Sequence, residues 1–431
     1  MQRFVSLALG AALVAVVGCS ENGHGTPKAE ATKVTKIAPG DDAQTKLQEA
    51  LINAKPGEVV ELAEGKYDFN QTISLDGIDG VTIRGAGPGK TVLSFSGQIA
   101  GGGGEGIKVD GCQDFIIEGM TVEDTRGDGI KTTKCDRVTY RNLLVQWTRG
   151  PHPDNGAYGV YPVLCQNVLI EDCAVTDCSD AGVYVGQSKN CIVRRCRAER
   201  NVAGIEIENT IGADVYENVA TNNAGGLLIF SLPGLEQKVG SQCRCYKNQV
   251  FANNHENFAK PGNIVATVPP GTGMIVMAND QVEIFDNDIK DNDTSNLSII
   301  SFMSTGVKSR EQLAKDDPGY DPYPEGIYIH DNRIADGGKN PAGEFGKTAS
   351  VILGKDFPDI LYDGVVDEAK FVDGKLRDDL RVVIVNNGDA DFANFHYSAI
   401  ASGDLPKPSN DLAEHAGTLP PLPAITIPGV E

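Results

Sequence analysis

The sequence predicts an all-β solenoid, a coil of short parallel strands closed at its N-terminal end by a capping helix. Three observations predict it. A unit of about 22 residues repeats between Gly106 and Asn296, with start-to-start spacings of 23, 30, 23, 22, 22, 47 and 23. Within each unit apolar residues alternate as Gly-Ile-x-Val, then Val-x-Ile, then a lone Val. That period of two marks short strands with one buried face. Glycine is abundant at 50 residues and aromatics make up 6%, a composition suited to short strands and tight corners. Three such strands bury no core alone, but stacked units do, each strand pairing in parallel with its equivalent one rung on.

Taken from the N-terminus, residues 1–19 read "MQRFVSLALGAALVAVVGC". One Arg precedes an apolar run, and small residues lead to a Cys, the pattern of a secretory leader. Val17-Gly18-Cys19 resembles a bacterial lipoprotein box, which implies cleavage before Cys19 and acylation there. The apolar run is short for a bilayer span. Ser20 after the Cys implies outer-membrane sorting. Residues 20–40 are polar and patternless and are expected to form a flexible tether.

The coil is expected over residues 41–335. It starts with an amphipathic helix at about Ala43–Ala54, stopped by Pro56-Gly57, with Leu47, Leu51 and Ala54 as its apolar stripe. Such a helix plugs the open end of the coil and shields its first strand edge. Beyond residue 335 the repeat fades. Residues 336–431 are expected to supply a last coil, a C-terminal cap and the Pro-rich tail "GTLPPLPAITIPGVE", extended along the scaffold.

The cysteines follow the repeat. Cys112, Cys135 and Cys165 sit six residues after their glycines, and Cys173 and Cys196 sit fourteen after theirs. Equivalent positions on neighbouring rungs lie ~4.8 Å apart, so these columns are expected to be packed thiols rather than disulfides. No CxxC and His spacing marks a zinc site. Asn218, Asn223 and Asn287 fall at turns, where Asn tolerates unusual backbone angles, and are not read as ligands.

The second and fourth residues after each glycine point outward. That column reads Lys108/Asp110, Lys131/Thr133, Tyr161/Val163, Tyr184/Gly186, Glu206/Glu208, Leu228/Phe230, Ile275/Met277, Ser298/Ile300 and Tyr328/His330. Four insertions flank it, at 150–157, 231–242, 254–272 and after residue 300. Long loops on a regular scaffold are where function tends to sit. They would wall a groove floored by Lys131, Tyr161, Tyr184 and Glu206, suited to an extended sugar chain.

The first insertion, "GPHPDN", is stiffened by two prolines and carries His152 and Asp154 just after Arg149. Removing the proton alpha to a uronate carboxylate needs a cation over the carboxylate, a base and an acid. Arg149 or Lys131 would be the cation, His152 the base, and Tyr161 or Tyr184 the acid. Asp154, Asp180, Glu206 and Glu208 would bind substrate. Hydrolysis needs paired carboxylates, and the chain offers Asp177, Asp180, Glu206 and Glu208 without an Asn-Thr-Asp plus Asp-Asp arrangement. Carboxylate-rich corners offer donors for Ca2+, although no Gly-Gly-x-Gly-x-Asp repeat is present. No other cofactor is implied.

The repeat resembles the right-handed single-stranded parallel β-helix of the pectate-lyase-like superfamily (the pectin-lyase-like solenoid), over roughly residues 40–335. On that fold, alginate C5-epimerases carry an Asp-Pro-His-Asp stretch. Gly150-Pro151-His152-Pro153-Asp154 is similar, with Gly150 in place of the first Asp and Pro153 inserted. The chain also resembles a group of bacterial lipoproteins with parallel β-helix repeats. The shared stretches are the lipobox, "PGEVVELAEGKY" (Pro56–Tyr67), the run Gly127–Pro151 and "LPPLP" (Leu419–Pro423). That group has no settled activity, so the resemblance bears on fold and envelope location.

The formal charge of −21 argues against nucleic acid, whose phosphates need Lys and Arg. The expected chain is a monomeric, lipid-anchored envelope protein. It either binds or modifies a uronan-like polysaccharide by lyase- or C5-epimerase-type chemistry, or is a non-catalytic scaffold for a carbohydrate or an envelope protein partner. A metal-delivery role is disfavoured by five Met and six scattered His.

Overall fold

The structure, a computed structural model, describes residues 33–343, 346, 350, 357–397 and 408–430. The leader, Cys19 and most of the tether fall outside them. Residues 33–431 form one compact unit.

The coil forms as the repeat dictates. Equivalent strands pair in parallel on successive rungs: Ile107 with Ile130, Ile130 with Val160, Val160 with Val183, Val183 with Ile205 and Ile205 with Leu227. Among the described residues, one face is an eleven-stranded parallel sheet running from Ile73–Asp76 to Phe392–Asn394. The other faces join into a twenty-stranded sheet, because strands such as Gln113–Glu123 and Asp136–Gln146 turn the corner without a break. The inward residues Val183, Ile205 and Leu227 are fully buried. Each contributes about 2 kcal/mol of apolar burial, and the core is a continuous column of such layers.

The helix α1 spans Ala43–Ile52 and buries Ala43, Leu47 and Leu51 against the first rung. Ala54 lies past its end, half-buried against the same core. The range expected for a tether, 20–40, already holds structured chain at its end. Val34–Ile37 is already a strand, paired with Val59–Leu62, because its alternation lets Ile37 turn into the core. Beyond residue 335, Ile360–Tyr362, Val382–Val385 and Phe392–Asn394 continue the coil. The tail lies along the scaffold. The Leu422 amide donates to Glu283 Oε2 at 2.8 Å and the Ile425 amide to Asp214 Oδ2 at 3.2 Å. Ile427 packs on Leu169 and Ile192.

All nine described cysteines are buried free thiols. The first column is a thiol ladder, in which the Cys112 amide points at Cys135 Sγ and the Cys135 amide at Cys165 Sγ, each at 3.4 Å. The turn asparagines differ from expectation. Positive φ falls on the residue before each, as at Glu217 (57°), Asn222 (54°) and Asp286 (55°). The asparagines themselves turn inward and stack. In one ladder the Nδ2 of Asn218 donates to Asn248 Oδ1, Asn248 to Asn287, and Asn287 to Asn332, at 3.0, 3.0 and 2.8 Å. Each Oδ1 also accepts the preceding rung's backbone amide at 2.9 to 3.0 Å. The corner amides, buried away from water, need such a partner, which is why Asn rather than an apolar residue fills the column.

Candidate functional site

The strands Ala181–Gly186, Ala203–Glu208, Gly225–Phe230 and Thr272–Met277 carry the outward column of the eleven-stranded face. Register places Tyr184 beside Glu206, Glu206 beside Leu228, and Leu228 beside Ile275. Tyr328 and His330 are not part of this column. Their strand pairs with Asp280–Phe285 in the other sheet. The column continues instead from Ser298 to Leu361, because the 301–359 excursion delays the next strand of this face.

Over these strands lies a groove of about 340 Å³. Three of the four insertions wall it. One supplies Leu232, the second supplies Ile264, Val265, Val268 and Pro269, and the last supplies Ser304 and Thr305. Asn257 ties the second wall, its Nδ2 donating to the carbonyls of Val265 (2.9 Å) and Val268 (2.8 Å). Val265 packs with Leu228, Phe230 and Tyr184 in one apolar cluster. The aliphatic stretch of the column is therefore covered, as its composition requires.

At one end of the groove three carboxyl groups and two tyrosines meet: Asp180, Glu206, Glu208, Tyr158 and Tyr184. The acids are 8%, 3% and 7% exposed. Burial pushes the Asp180 carboxyl up to about 7, with a hydrogen bond from Tyr158 acting against the rise. Burial, with the Asp180 charge nearby, pushes Glu208 up to about 8. The same two causes hold Glu206 well above the carboxylate range. The Tyr184 hydroxyl donates to Glu208 Oε2. To do so its ring folds back over residue 186, where a Cβ would meet it, so glycine leaves the ring this place. Among the described residues none of the groove's lining is cationic.

The other expected site residues surround this centre without entering it. Tyr161 packs against Tyr158 and, edge to face, against Tyr184, with ring centroids 4.5 and 4.8 Å away. Lys131 Nζ sits 4.5 Å over the Tyr161 ring and 3.5 Å from Asp128 Oδ2. Burial raises Asp128, and Lys131 opposes the rise.

The "GPHPDN" insertion stands apart from the groove lining. Arg149 Nε donates to Asn155 Oδ1, and Asn155 Nδ2 donates to the carbonyls of Gly150 and Asp177, at 2.9 and 2.5 Å. Asn155 is thus the buried anchor of that loop. Gly156 is required next to it, because a Cβ there would strike the Gly127 carbonyl and the Trp147 ring. His152 projects outward, its side chain 44% exposed, and its Nδ1 accepts the Asp154 amide at 3.0 Å. Asp154 pairs with Lys260 at 3.0 Å, and that ammonium holds its carboxyl down. The structure gathers Tyr184, Asp180, Glu206 and Glu208, and leaves His152, Arg149 and Asp154 on the rim loop.

Tyr158 and Asp128 escaped the sequence reading. Both directly precede the glycine that opens a rung, a position outside the alternating strand pattern. The available signal was that the rungs at Gly129 and Gly159 are preceded by Asp128 and Tyr158, where the next three rungs have Ala181, Ala203 and Gly225.

Residues 78–234 match a family model described as a right handed beta helix region. No curated protein sequence matches the chain. Among solved structures, the mannuronan C-5 epimerase AlgE4 A-module of Azotobacter vinelandii is similar at 15% identity and a TM-score of 0.49, over 81% of this chain and 92% of that one. An alginate lyase from Paenibacillus sp. str. FPU-7 is similar at 19% identity and 0.44, over 62% and 91%. A hyperthermoactive exopolygalacturonase from Thermotoga maritima is similar at 13% identity and 0.35, over 62% and 72%. At these identities the likeness is one of coil architecture, and the chemistry of those proteins does not carry over. The chain is a right-handed parallel β-helix with a walled groove on one face.

Proposed function

We propose that the groove binds a polysaccharide and modifies it by acid–base chemistry, with Asp180 and Glu208 as the proton-carrying groups. One observation carries the reading: two buried carboxyls pushed up towards neutrality, Glu208 hydrogen-bonded to Tyr184 and Asp180 beside Tyr158, converge on one end of a walled groove. Strongly shifted acids in a cleft are the usual mark of a proton-transfer site, and a group titrating near ambient pH is best placed to give and take protons. Tyr184 and Tyr158 orient the two carboxyls.

Lyase- or C5-epimerase-type chemistry on a uronate fits these groups in a form that differs from the Arg149, Lys131 and His152 scheme. The neutral Glu206 carboxyl donates a hydrogen bond to the substrate carboxylate, where a cation would otherwise be needed. The ionised fraction of Asp180 takes the proton alpha to it, and the protonated Glu208 carboxyl gives one up, to C5 from the opposite face in epimerisation or to the departing glycosidic oxygen in elimination. A second reading is non-catalytic binding of a carbohydrate or an envelope partner, and the largely aliphatic wall around Val265 and Leu228 favours it. We place the chain, through acylated Cys19, on the outer membrane.

Calorimetric titration of the full chain with oligomers of alginate, pectate and neutral glycans tests the binding. The reading expects saturable binding that Phe230→Asp abolishes, because a charge there would block the groove. Binding unaffected by Phe230→Asp would refute the groove as the site.

A further inference from the structure

The geometry points to a Ca2+ site on a different part of the molecule, held by Asp280, Asp321 and Glu325. Asp280 and Glu325 open neighbouring strands and pair in register. Asp321 comes from the long loop that precedes Glu325. One carboxylate oxygen of each lies within 4.8 Å of those of the other two. Calcium binds oxygens at ~2.4 Å, so two ligands on opposite sides of one ion stand about 4.8 Å apart.

Two further observations show that these acids are short of a partner. Lys370 Nζ reaches Asp321 Oδ2 at 2.7 Å and Glu325 Oε2 at 2.6 Å. One ammonium serves two of the three acids and leaves Asp280 without an ion-pair partner among the described residues. Lys370 also leaves particular atoms unserved. Glu325, 4% exposed, keeps Oε1 buried without a hydrogen-bond donor, and Asp280 keeps Oδ1 buried in the same way. A buried, unpaired carboxylate oxygen is costly, and a bound cation is what removes that cost. Of the three buried side-chain polar atoms without a partner among the described residues, two belong to this cluster.

Calcium suits the site better than magnesium, because carboxylates on two strands and a loop give an irregular oxygen cage, with water completing the shell. Mg2+ demands near-octahedral geometry at ~2.0 Å. The ion would fasten the 301–324 loop to the strand ends. That loop also supplies Ser304 and Thr305 to the groove wall.

The test uses the full chain, stripped with a chelator. Terbium luminescence is excited through the tyrosines, since Tyr320 and Tyr323 flank Asp321. The expected result is one saturable site from which Ca2+ displaces Tb3+ at least ten-fold better than Mg2+ does, with a higher melting temperature in Ca2+. Asp280→Asn and Glu325→Gln should each weaken binding at least ten-fold, while Lys370→Met should leave it intact or tighter. Asp280→Asn keeps the size and shape of the side chain and should fold as the wild type does, which circular dichroism checks. Absence of a saturable site, or affinity unchanged in both carboxylate variants, would overturn the assignment.

Discussion

Glu208→Gln should stabilise the protein at alkaline pH and leave it unchanged in acid. Burial and the Asp180 charge raise the Glu208 carboxyl from 4.5 to about 8. A raised acid pKa means that the folded state holds the proton longer than the unfolded chain does. Below pH ~4.5 both states are protonated and the group costs nothing. From there up to pH ~8 the unfolded chain ionises while the fold does not, so stability falls as pH rises. At 1.36 kcal/mol per unit the full penalty is about 5 kcal/mol. Gln keeps an oxygen for the Tyr184 hydroxyl and has no proton to lose, so it escapes the penalty. At ~2 cal/mol/K per residue of unfolding entropy, 5 kcal/mol raises the melting temperature of this chain by about 6 °C. Scanning calorimetry of both proteins from pH 4.5 to 8.5 reads the difference. A gap in melting temperature that stays constant across that range, or one that narrows as pH rises, would refute the burial argument on which the site rests.

Asn248→Ala removes the acceptor for both the side chain and the amide of Asn218. Two orphaned buried donors cost on the order of 2–5 kcal/mol, a shift that urea unfolding should detect. A thiol-specific alkylating reagent should label all nine cysteines from Cys112 to Cys245 in denaturant without reductant, and almost none in the native protein. Mass spectrometry counts them, and any pair that stays unlabelled would mark a disulfide. Arg149→Gln should loosen the 150–157 loop, because Asn155 loses its donor, and hydrogen exchange should rise there while glycan affinity changes less than two-fold. Equal loss of affinity would place that loop in the site.

The coil was legible because its cause is local. Alternating Gly-Ile-x-Val repeats state both strand and register, and the 22-residue period states parallel stacking. The Cys columns followed from the same spacing. Tyr184, Glu206 and Glu208 were legible as a cluster because outward positions on adjacent rungs must be neighbours, whereas Asp180, two residues before its rung's glycine, was named only as a carboxylate. What failed depended on chain paths between rungs. His330 counts correctly along its own repeat, yet the excursion after residue 300 returns the chain on a different face. His152 and Arg149 adjoin the right strand, but the Asn155 anchor turns the loop on itself. The asparagine ladders were invisible because a single turn gives no reason for an inward Asn. The reason appears only when one rung's amide finds the next rung's side-chain oxygen.

In the proposed function, protons move through Asp180 and Glu208 in the groove. The most direct measurement is turnover of uronan oligomers in deuterated water, with NMR following exchange at C5 and absorbance following unsaturated products. Wild type should be active near neutral pH, where Asp180 is partly ionised and Glu208 still largely protonated. Asp180→Asn and Glu208→Gln should each lower the rate by ~10²–10⁴-fold, and His152→Ala by less than about three-fold, within the range expected for a residue outside the proton-transfer step. Full activity in the two carboxyl variants, or its loss in His152→Ala alone, would contradict the account.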